Sequence, residues 1–310
     1  MLSRRKFIQQ TSFTTAALLA GNFSSAEEIT SQRLVILHTN DVHSRLDPFP
    51  MDGSRNQGLG GVAARANLIN EIRAKEEHVL LLDAGDIFQG TPYFNIYKGE
   101  PEMIAMQKMG YDACTMGNHD FDAGLENFAL QLQHTTFPVL LCNYDFTSTP
   151  MENKSLPYKI FKKGKLKIGV TGVGIEMKGL VPDNLAGNTK YLDPVQKLNE
   201  TAWLLKREKD CDMVICLSHL GYQYRENANK ICDLILAKET EHVDLIIGGH
   251  THTFLNEPVL VKNKNGEDVL VNQVGWAGIQ LGRLDYEFFR YKKKNMTEAN
   301  TLLVGKKTGE

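Results

Sequence analysis

Residues 33–43 read Arg-Leu-Val-Ile-Leu-His-Thr-Asn-Asp-Val-His. The aliphatic run over 33–39 predicts a buried β-strand, and the four residues after it supply carboxylate and imidazole groups where that strand ends. The same order, an apolar run followed by groups able to bind a metal, occurs at four further places in the chain. We base the prediction of the fold and of the site on this repeated order.

The four further segments also follow predicted strands. They are Asp83-Ala-Gly-Asp86, Gly117-Asn-His-Asp120, Ser218-His219 and Gly248-Gly-His-Thr-His252. In open α/β sheets, ligands bind at the carboxyl ends of the strands, where loops from distant parts of the sequence meet. We therefore expect these polar side chains to converge on a single site.

The pattern between these segments alternates strands with helices, which is typical of a layered α/β fold. The predicted helices cover residues 62–75, 101–109, 194–208 and about 225–238. The predicted strands cover residues 33–39, 78–83, 111–116, 138–142, 165–173, 211–217 and 243–247. The last third, with runs at 259–262, 269–273 and 281–289, predicts antiparallel β-structure. No internal repeat or long linker divides the chain.

The composition is that of an ordinary globular protein. The 310 residues are 42% hydrophobic and 23% charged, and the formal net charge is −2. This balance argues against binding to duplex nucleic acid, which requires a basic excess to neutralise phosphates. No run of about 20 apolar residues predicts a membrane-spanning helix.

The N-terminal segment predicts export. Ser3-Arg-Arg-Lys-Phe-Ile8 is a twin-arginine motif, a weakly apolar stretch follows it, and Ser24-Ser-Ala26 offers small residues for cleavage. We expect residues 1–26 to be a twin-arginine signal peptide and the protein to be periplasmic or secreted. A single folded domain is predicted to span residues 27–290, and residues 291–310 are predicted to be a polar C-terminal tail.

The five cysteines do not predict a metal cage. Their number is odd and their spacing contains no Cys-x-x-Cys pair. A disulfide is permitted in an exported protein, but most of these residues lie in or beside apolar runs. We expect free, mostly buried thiols at Cys114, Cys142, Cys211, Cys216 and Cys232.

The polar groups after the strands form a coherent ligand set. Carboxylates, imidazoles and one amide oxygen suit zinc, manganese or iron, and the lack of thiolates argues against a structural zinc site. The alternating pairs Asp41/His43 and His250/His252 are expected to project from one side of an extended segment. A single histidine after a strand usually has only a structural role, and His38, His78, His134 and His242 keep that interpretation.

The sequence lacks the motifs of dinucleotide-binding sites, phosphate-binding loops and serine hydrolases. The stretch 169–174 has the wrong glycine spacing for a dinucleotide site, and the 85–90 segment lacks the Lys-Ser/Thr of a phosphate-binding loop. Ser218 lies in Leu-Ser-His-Leu-Gly, outside the Gly-x-Ser-x-Gly pattern of serine hydrolases. Asp83 is expected to pack or cap, and Asp120 to support its own loop.

Taken in order, these motifs resemble the calcineurin-like metallophosphoesterase superfamily. Three longer strings are similar to its 5′-nucleotidase branch, which includes periplasmic UDP-sugar hydrolases. They are Leu-His-Thr-Asn-Asp-Val-His (37–43), Asp-Ala-Gly-Asp-Ile-Phe-Gln-Gly-Thr-Pro (83–92) and Met-Gly-Asn-His-Asp-Phe-Asp-Ala-Gly (116–124). The resemblance spans roughly residues 33–289. It implies a four-layer αββα sandwich, in which two mixed β-sheets are flanked by helices.

The resemblance also implies roles for individual residues. One metal would be held by Asp41, His43, Asp86 and His252, and the other by Asp86, Asn118, His219 and His250, with Asp86 as the bridge. A metal-bound hydroxide would attack phosphorus in line. His119, oriented by Asp122, would be the catalytic residue that stabilises the transition state and assists the leaving oxygen. The two divalent metals would be zinc, manganese or iron.

Two departures from the 5′-nucleotidase pattern bear on the substrate. The position of His252 is often Gln or Asn in that branch. Two-domain members also carry a C-terminal domain with an aromatic clamp for the base, for which we find no counterpart in the sequence. We expect hydrolysis of phosphate esters, with 5′-nucleotides favoured, and a separate substrate-binding chain is one hypothesis. A cyclic-nucleotide phosphodiesterase, a sulfur-ester hydrolase and a non-catalytic metal-binding protein are the alternatives.

Overall fold

The structure, a computed structural model, describes residues 31–289 and 293–305. The predicted signal segment 1–26 therefore lies outside the described residues. The strands are β1 Gln32–Thr39, β2 Val79–Asp83, β3 Ala113–Cys114, β4 Val139–Leu140, β5 Tyr144–Asp145, β6 Ser155–Leu156, β7 Tyr158–Lys163, β8 Leu166–Val173, β9 Lys190–Tyr191, β10 Met213–Ser218, β11 Leu245–Gly248, β12 Val259–Lys262, β13 Asp268–Asn272, β14 Gln280–Phe289 and β15 Lys293–Leu303.

The α-helices lie between the strands. They are α1 Val62–Arg73, α2 Pro92–Tyr97, α3 Glu100–Met109, α4 Leu125–Gln131, α5 Asp183–Ala186, α6 Pro194–Trp203 and α7 Asp233–Glu239. Short 3₁₀ turns occupy His119–Phe121 and Leu132–His134, and one π-helical turn at Leu204–Glu208 continues α6. None of the described helices has both the length and the apolar character needed to cross a bilayer.

Two mixed sheets form the centre of the fold. The first has the strand order β15-β14-β1-β2-β3-β4-β6, and the second has the order β12-β13-β11-β10-β8-β7. In the first sheet, β1 to β4 and β6 are parallel, whereas β14 pairs antiparallel with both of its neighbours, β1 and β15. In the second, β8, β10, β11 and β13 are parallel between antiparallel edges.

The sheets pack face to face, and each is covered by helices on its outer face. Strand β1 shows this directly, because Leu34 and Ile36 pack in the core between the sheets, whereas Val35 and Leu37 pack in the core beneath the helices. Both faces of the strand are thus buried, which explains a continuous apolar run in place of an alternating one. The predicted four-layer αββα sandwich is confirmed.

The predicted polar tail is wrong for residues 293–303. They form the edge strand β15, which pairs with β14 through a register shift between Asp285 and Tyr286. The first sheet therefore extends past the predicted domain end at residue 290. Polar side chains with lysines at the start are typical of an exposed edge strand, so polarity alone did not distinguish a strand from a tail.

Other differences concern short or misjudged elements. The helix predicted at about 225–238 is confined to Asp233–Glu239, because the Asn-rich segment before it forms turns instead. Helices α2 and α4, of six and seven residues, were missed because they are too short to show a helical period. The closing β-structure is also divided, since β12 and β13 join the second sheet and β14 joins the first.

The cysteine prediction is confirmed. All five cysteines are free, and four are buried while Cys142 is partly buried. Burial raises the pKa of the Cys142 thiol to about 11, which keeps it protonated at neutral pH.

Replacing a leucine between the sheets should destabilise the fold. Leu80 on β2 is fully buried, and we expect Leu80→Ala to lower the free energy of unfolding by about 2–5 kcal/mol through lost burial and a cavity. The matched control is Leu260→Ala on β12, where the leucine is 57% exposed and the change should stay within about 0.5 kcal/mol. Urea unfolding measures both, and equal losses would contradict the two-sheet core.

Candidate metal centre

The loops that follow β1, β2, β3, β10 and β11 meet at one edge of the two sheets. Six of the predicted ligands form two groups, one of Asp41, His43 and His252 and one of Asp86, His219 and His250. Within each group, the atoms able to bind a metal lie within 4.8 Å of one another. Asn118, the seventh predicted ligand, adjoins the second group, with its Oδ1 2.8 Å from Nδ1 of His250.

Asp86 lies between the two groups. Its Oδ2 is 3.1 Å from Nε2 of His219 in the second group and 3.8 Å from Nε2 of His43 in the first. Its Oδ1 accepts a hydrogen bond from the backbone N–H of His119 at 2.8 Å. A carboxylate in this position has the reach to serve two neighbouring cations.

Asp41 of the first ligand group also contacts two residues of the second group. The backbone N–H of His250 donates to the carboxylate of Asp41 at 2.9 and 3.0 Å, and Nε2 of His219 lies 3.9 Å from its Oδ1. In the first group, Nε2 of His252 is 3.0 Å from Nε2 of His43 and 3.5 Å from Oδ1 of Asp41. The side chains are therefore close enough to surround adjacent ions.

The backbone at this edge is unusual. Five of the predicted ligands have φ angles of +49° to +71°, a left-handed region that non-glycine residues rarely adopt: Asp41, His43, Asp86, His250 and His252. The expectation that the two alternating pairs project from extended segments is wrong, because all four of their residues are left-handed. His250 and His252 instead turn toward different groups. Strained backbone of this kind clusters at functional sites.

Hydrogen bonds hold the strained loops in place. Asp120 is 1% exposed, and its carboxylate accepts backbone N–H groups of Asp86, Ile87, Phe88 and Gly117 at 2.8–3.1 Å. It thereby joins the loop after β2 to the loop after β3. The prediction that Asp120 supports its loop is confirmed. Asp83, the other predicted structural aspartate, is buried and accepts hydrogen bonds from Thr39 and the N–H of Gly85.

One glycine is required by the close approach of the loops. A Cβ at Gly117 would lie 2.1 Å from Oδ1 of Asp86 and 2.5 Å from Nε2 of His219. Any side chain at this position would therefore clash with Asp86 and His219 of the second ligand group.

The electrostatics of the centre favour a bound cation. Burial alone would raise the pKa of the Asp86 carboxyl, but the neighbouring His219 and His43 hold it below its usual value. Nδ1 of His219 is 2.6 Å from the carbonyl oxygen of Ala84 and donates to it, whereas the buried Nε2 has no hydrogen-bond partner. An orphaned imidazole nitrogen beside an ionised, buried carboxylate fits a metal ligand.

The pKa values of His250 and His119 are shifted in opposite directions. Burial and the charge of His219 lower the pKa of His250 to about 4, so its ring is neutral and able to ligate. For His119, burial acts to lower the pKa, but the charge of Asp86 and a hydrogen bond to Asp122 outweigh it, so the pKa is raised. Nδ1 of His119 lies 2.8 Å from Oδ2 of Asp122.

The position of His119 sets it apart from the ligand groups. Its side chain is 39% exposed, and its ring centroid lies 5.3 Å from that of His43. His119 therefore lies at the exposed mouth of the centre. Its Nε2 atom is not used in the contact with Asp122, which is made by Nδ1.

Two contributors were not recognised from sequence. Asn40 orients Asp41, because its Nδ2 donates to Oδ2 of Asp41 at 2.6 Å and to the carbonyl of Gly275 at 2.7 Å. Its place directly before Asp41 was the available signal. Trp276 stacks on His252, with ring centroids 5.8 Å apart and an interplanar angle of 10°. No motif surrounds Trp276, and only the folded chain brings it to His252.

Comparisons with known proteins agree with this geometry. A snake venom 5′-nucleotidase from Gloydius brevicauda is 35% identical over 300 residues, covering 90% of this chain and 49% of that protein. The solved 5′-nucleotidase precursor of Thermus thermophilus has a TM-score of 0.79 and 32% identity, covering 88% of this chain and 55% of that one. For the Haemophilus influenzae NAD nucleotidase the TM-score is 0.77 and the identity 28%, over 89% and 57% of the two chains.

The chain spans about half the length of the curated relatives it matches. The family model of calcineurin-like phosphoesterases matches residues 34–254, which include all seven predicted ligands together with His119 and Asp122. Since that match covers more than half of the sequence and agrees with the predicted resemblance, the chain belongs to the calcineurin-like phosphoesterase family.

Proposed function

We propose that this protein hydrolyses phosphate monoesters with the aid of two divalent cations, and that 5′-nucleotides are its favoured substrates. The observation that carries the proposal is the convergence of the seven predicted ligands from loops after five strands, with Asp86 between the two groups. The nucleotidase names of its relatives support the choice of substrate.

The donor set supports two metal sites of the kind that the sequence predicts. Asp41, His43, Asp86 and His252 would hold one cation, and Asp86, Asn118, His219 and His250 the other. Oxygen and imidazole donors suit zinc, manganese or iron. A pair of such cations lowers the pKa of a shared water and binds the oxygens of a phosphoryl group.

His119 and Asp122 would act on the substrate side of the centre. The carboxylate of Asp122 accepts a hydrogen bond from Nδ1–H of His119, so that Nε2 of the ring faces away from Asp122. Nε2 can then donate a hydrogen bond to a phosphoryl oxygen, or a proton to the departing alkoxide. The exposure of His119 gives a substrate access to it.

The remaining alternatives differ in what they require. A silent metal-binding protein has no need of a His119–Asp122 pair beside its ligands. A cyclic-nucleotide phosphodiesterase or a sulfur-ester hydrolase would use the same centre, so a substrate panel separates them from a nucleotidase. The separate substrate-binding chain stays a prediction, which co-purification from the native cell would test.

We also propose that the protein is exported to the periplasm or secreted, on the strength of the twin-arginine motif at residues 3–8. Replacing both arginines by lysine (Arg4→Lys with Arg5→Lys) should retain the protein in the cytoplasm, because that pathway reads the arginine pair. Cell fractionation measures the distribution. Unchanged export of the double variant would exclude this route.

Removing the imidazole of His119 should separate catalysis from metal binding. We expect His119→Ala to lower kcat for AMP by about 10²–10⁴-fold, because a positioned proton donor is lost, while the metal content of the purified protein stays at the wild-type value. His134→Ala, at a histidine outside the centre, is the matched control and should keep the wild-type kcat. A His119→Ala variant with unimpaired turnover would remove this residue from the mechanism.

Metal removal should weaken both activity and the fold. After chelation we expect loss of turnover and a lower Tm, each restored by Mn²⁺ or Zn²⁺, because a ligand that binds only the folded state stabilises it. Asp86→Ala should bind less metal and show little rise in Tm when metal is added. Elemental analysis and thermal unfolding measure these effects, and full metal content in Asp86→Ala would refute the bridging role.

A further inference from the structure

A cavity adjoins the candidate metal centre. It has a volume of about 340 Å³ and is lined in part by Arg55, Asn56, Phe254, Trp276 and Gln280. This volume falls in the range of small-molecule pockets. Trp276 connects the cavity to the centre, because its ring lines the cavity and also stacks on His252.

Two aromatic side chains, Phe254 and Trp276, line the cavity. Phe254 is 45% exposed, and its ring lies against Gly275, where an added Cβ would come within 2.1 Å of it. The second wall is Trp276, which Phe49 supports edge-on with ring centroids 5.8 Å apart. Two held aromatic rings can accept a planar ring system by stacking.

The cavity is also lined by polar side chains, one of which has an unpaired oxygen. Oε1 of Gln280 is buried and has no hydrogen-bond partner, which is costly unless a ligand supplies a donor. The side-chain amides of Asn56 and Asn256 also line the cavity. A planar group with N–H donors on its edge matches aromatic walls and an unpaired acceptor together.

We propose that this cavity binds the nucleobase of the nucleotide whose phosphate lies at the metal centre. The inference rests on the proposed function and extends it, because it places recognition of the base within this chain. Phe254 and Trp276 stack on the base, and Oε1 of Gln280 accepts a hydrogen bond from its exocyclic amine. The sequence alone did not indicate the site, since its lining residues are scattered between positions 55 and 303.

Comparison of AMP with ribose 5-phosphate isolates the base. The measured quantity is kcat/KM for AMP divided by kcat/KM for ribose 5-phosphate. We expect Phe254→Ala to lower this ratio about tenfold, in line with the loss of one stacking partner. Gln280→Leu should lower it as well. Phe254→Tyr, which keeps the ring, should hold the ratio within about twofold of wild type. Trp203→Phe is the control, at an exposed tryptophan outside the cavity. Ratios unchanged in both Phe254→Ala and Gln280→Leu would overturn the proposal.

A binding measurement makes the test independent of turnover. The chain has two tryptophans, so Trp203→Phe leaves Trp276 as its sole indole fluorophore. We expect adenosine to quench its emission, ribose to leave it unchanged, and Phe254→Ala in this background to raise the Kd for adenosine about tenfold. Absence of quenching would overturn the nucleobase site. Quenching without hydrolysis of either ester would instead refute the proposed function and leave the base site standing.

Discussion

The burial of an ionised Asp86 carboxylate is the constraint on which the candidate centre depends. A charge removed from water must be balanced by opposite charge and by hydrogen bonds, or it is lost by protonation. Around Asp86, imidazoles of both ligand groups and the N–H of His119 meet this need. Nε2 of His219 faces this carboxylate at 3.1 Å without a hydrogen bond, and together with the other converging side chains it fits a site for a cation.

The two-sheet sandwich provides the rigidity that such an assembly requires. Asp41, Asp86 and Asn118 come from loops of the first sheet, whereas the loops of the second sheet supply His219, His250 and His252. The centre therefore forms across the boundary between the sheets. Packing between the sheets fixes the distance between the two halves, and backbone strain in the loops is tolerated because the strands behind them are well packed.

The polar residues around the ligand groups fall into two sets, one buried and one exposed. Asp120 and Asn40 act on backbone and ligand orientation from beneath the site, where both are almost fully buried. His119 and Asp122 lie at the exposed mouth, where a substrate can reach them. This separation of supporting and substrate-facing groups agrees with a catalytic centre more closely than with a structural metal site, which has no use for the second set.

The local pattern of the sequence determined which apolar runs would be strands and which loops would carry polar groups able to bind a metal. These follow from hydrophobic period and side-chain chemistry, which are properties of neighbouring residues. The polar composition of residues 293–303 could not distinguish the edge strand β15 from a tail. The alternating spacing of Asp41 and His43 could not reveal that both residues have a left-handed backbone. Only the tertiary structure set the distances within the two candidate ligand groups and brought Trp276 against His252, because contacts between distant segments depend on how the two sheets pack.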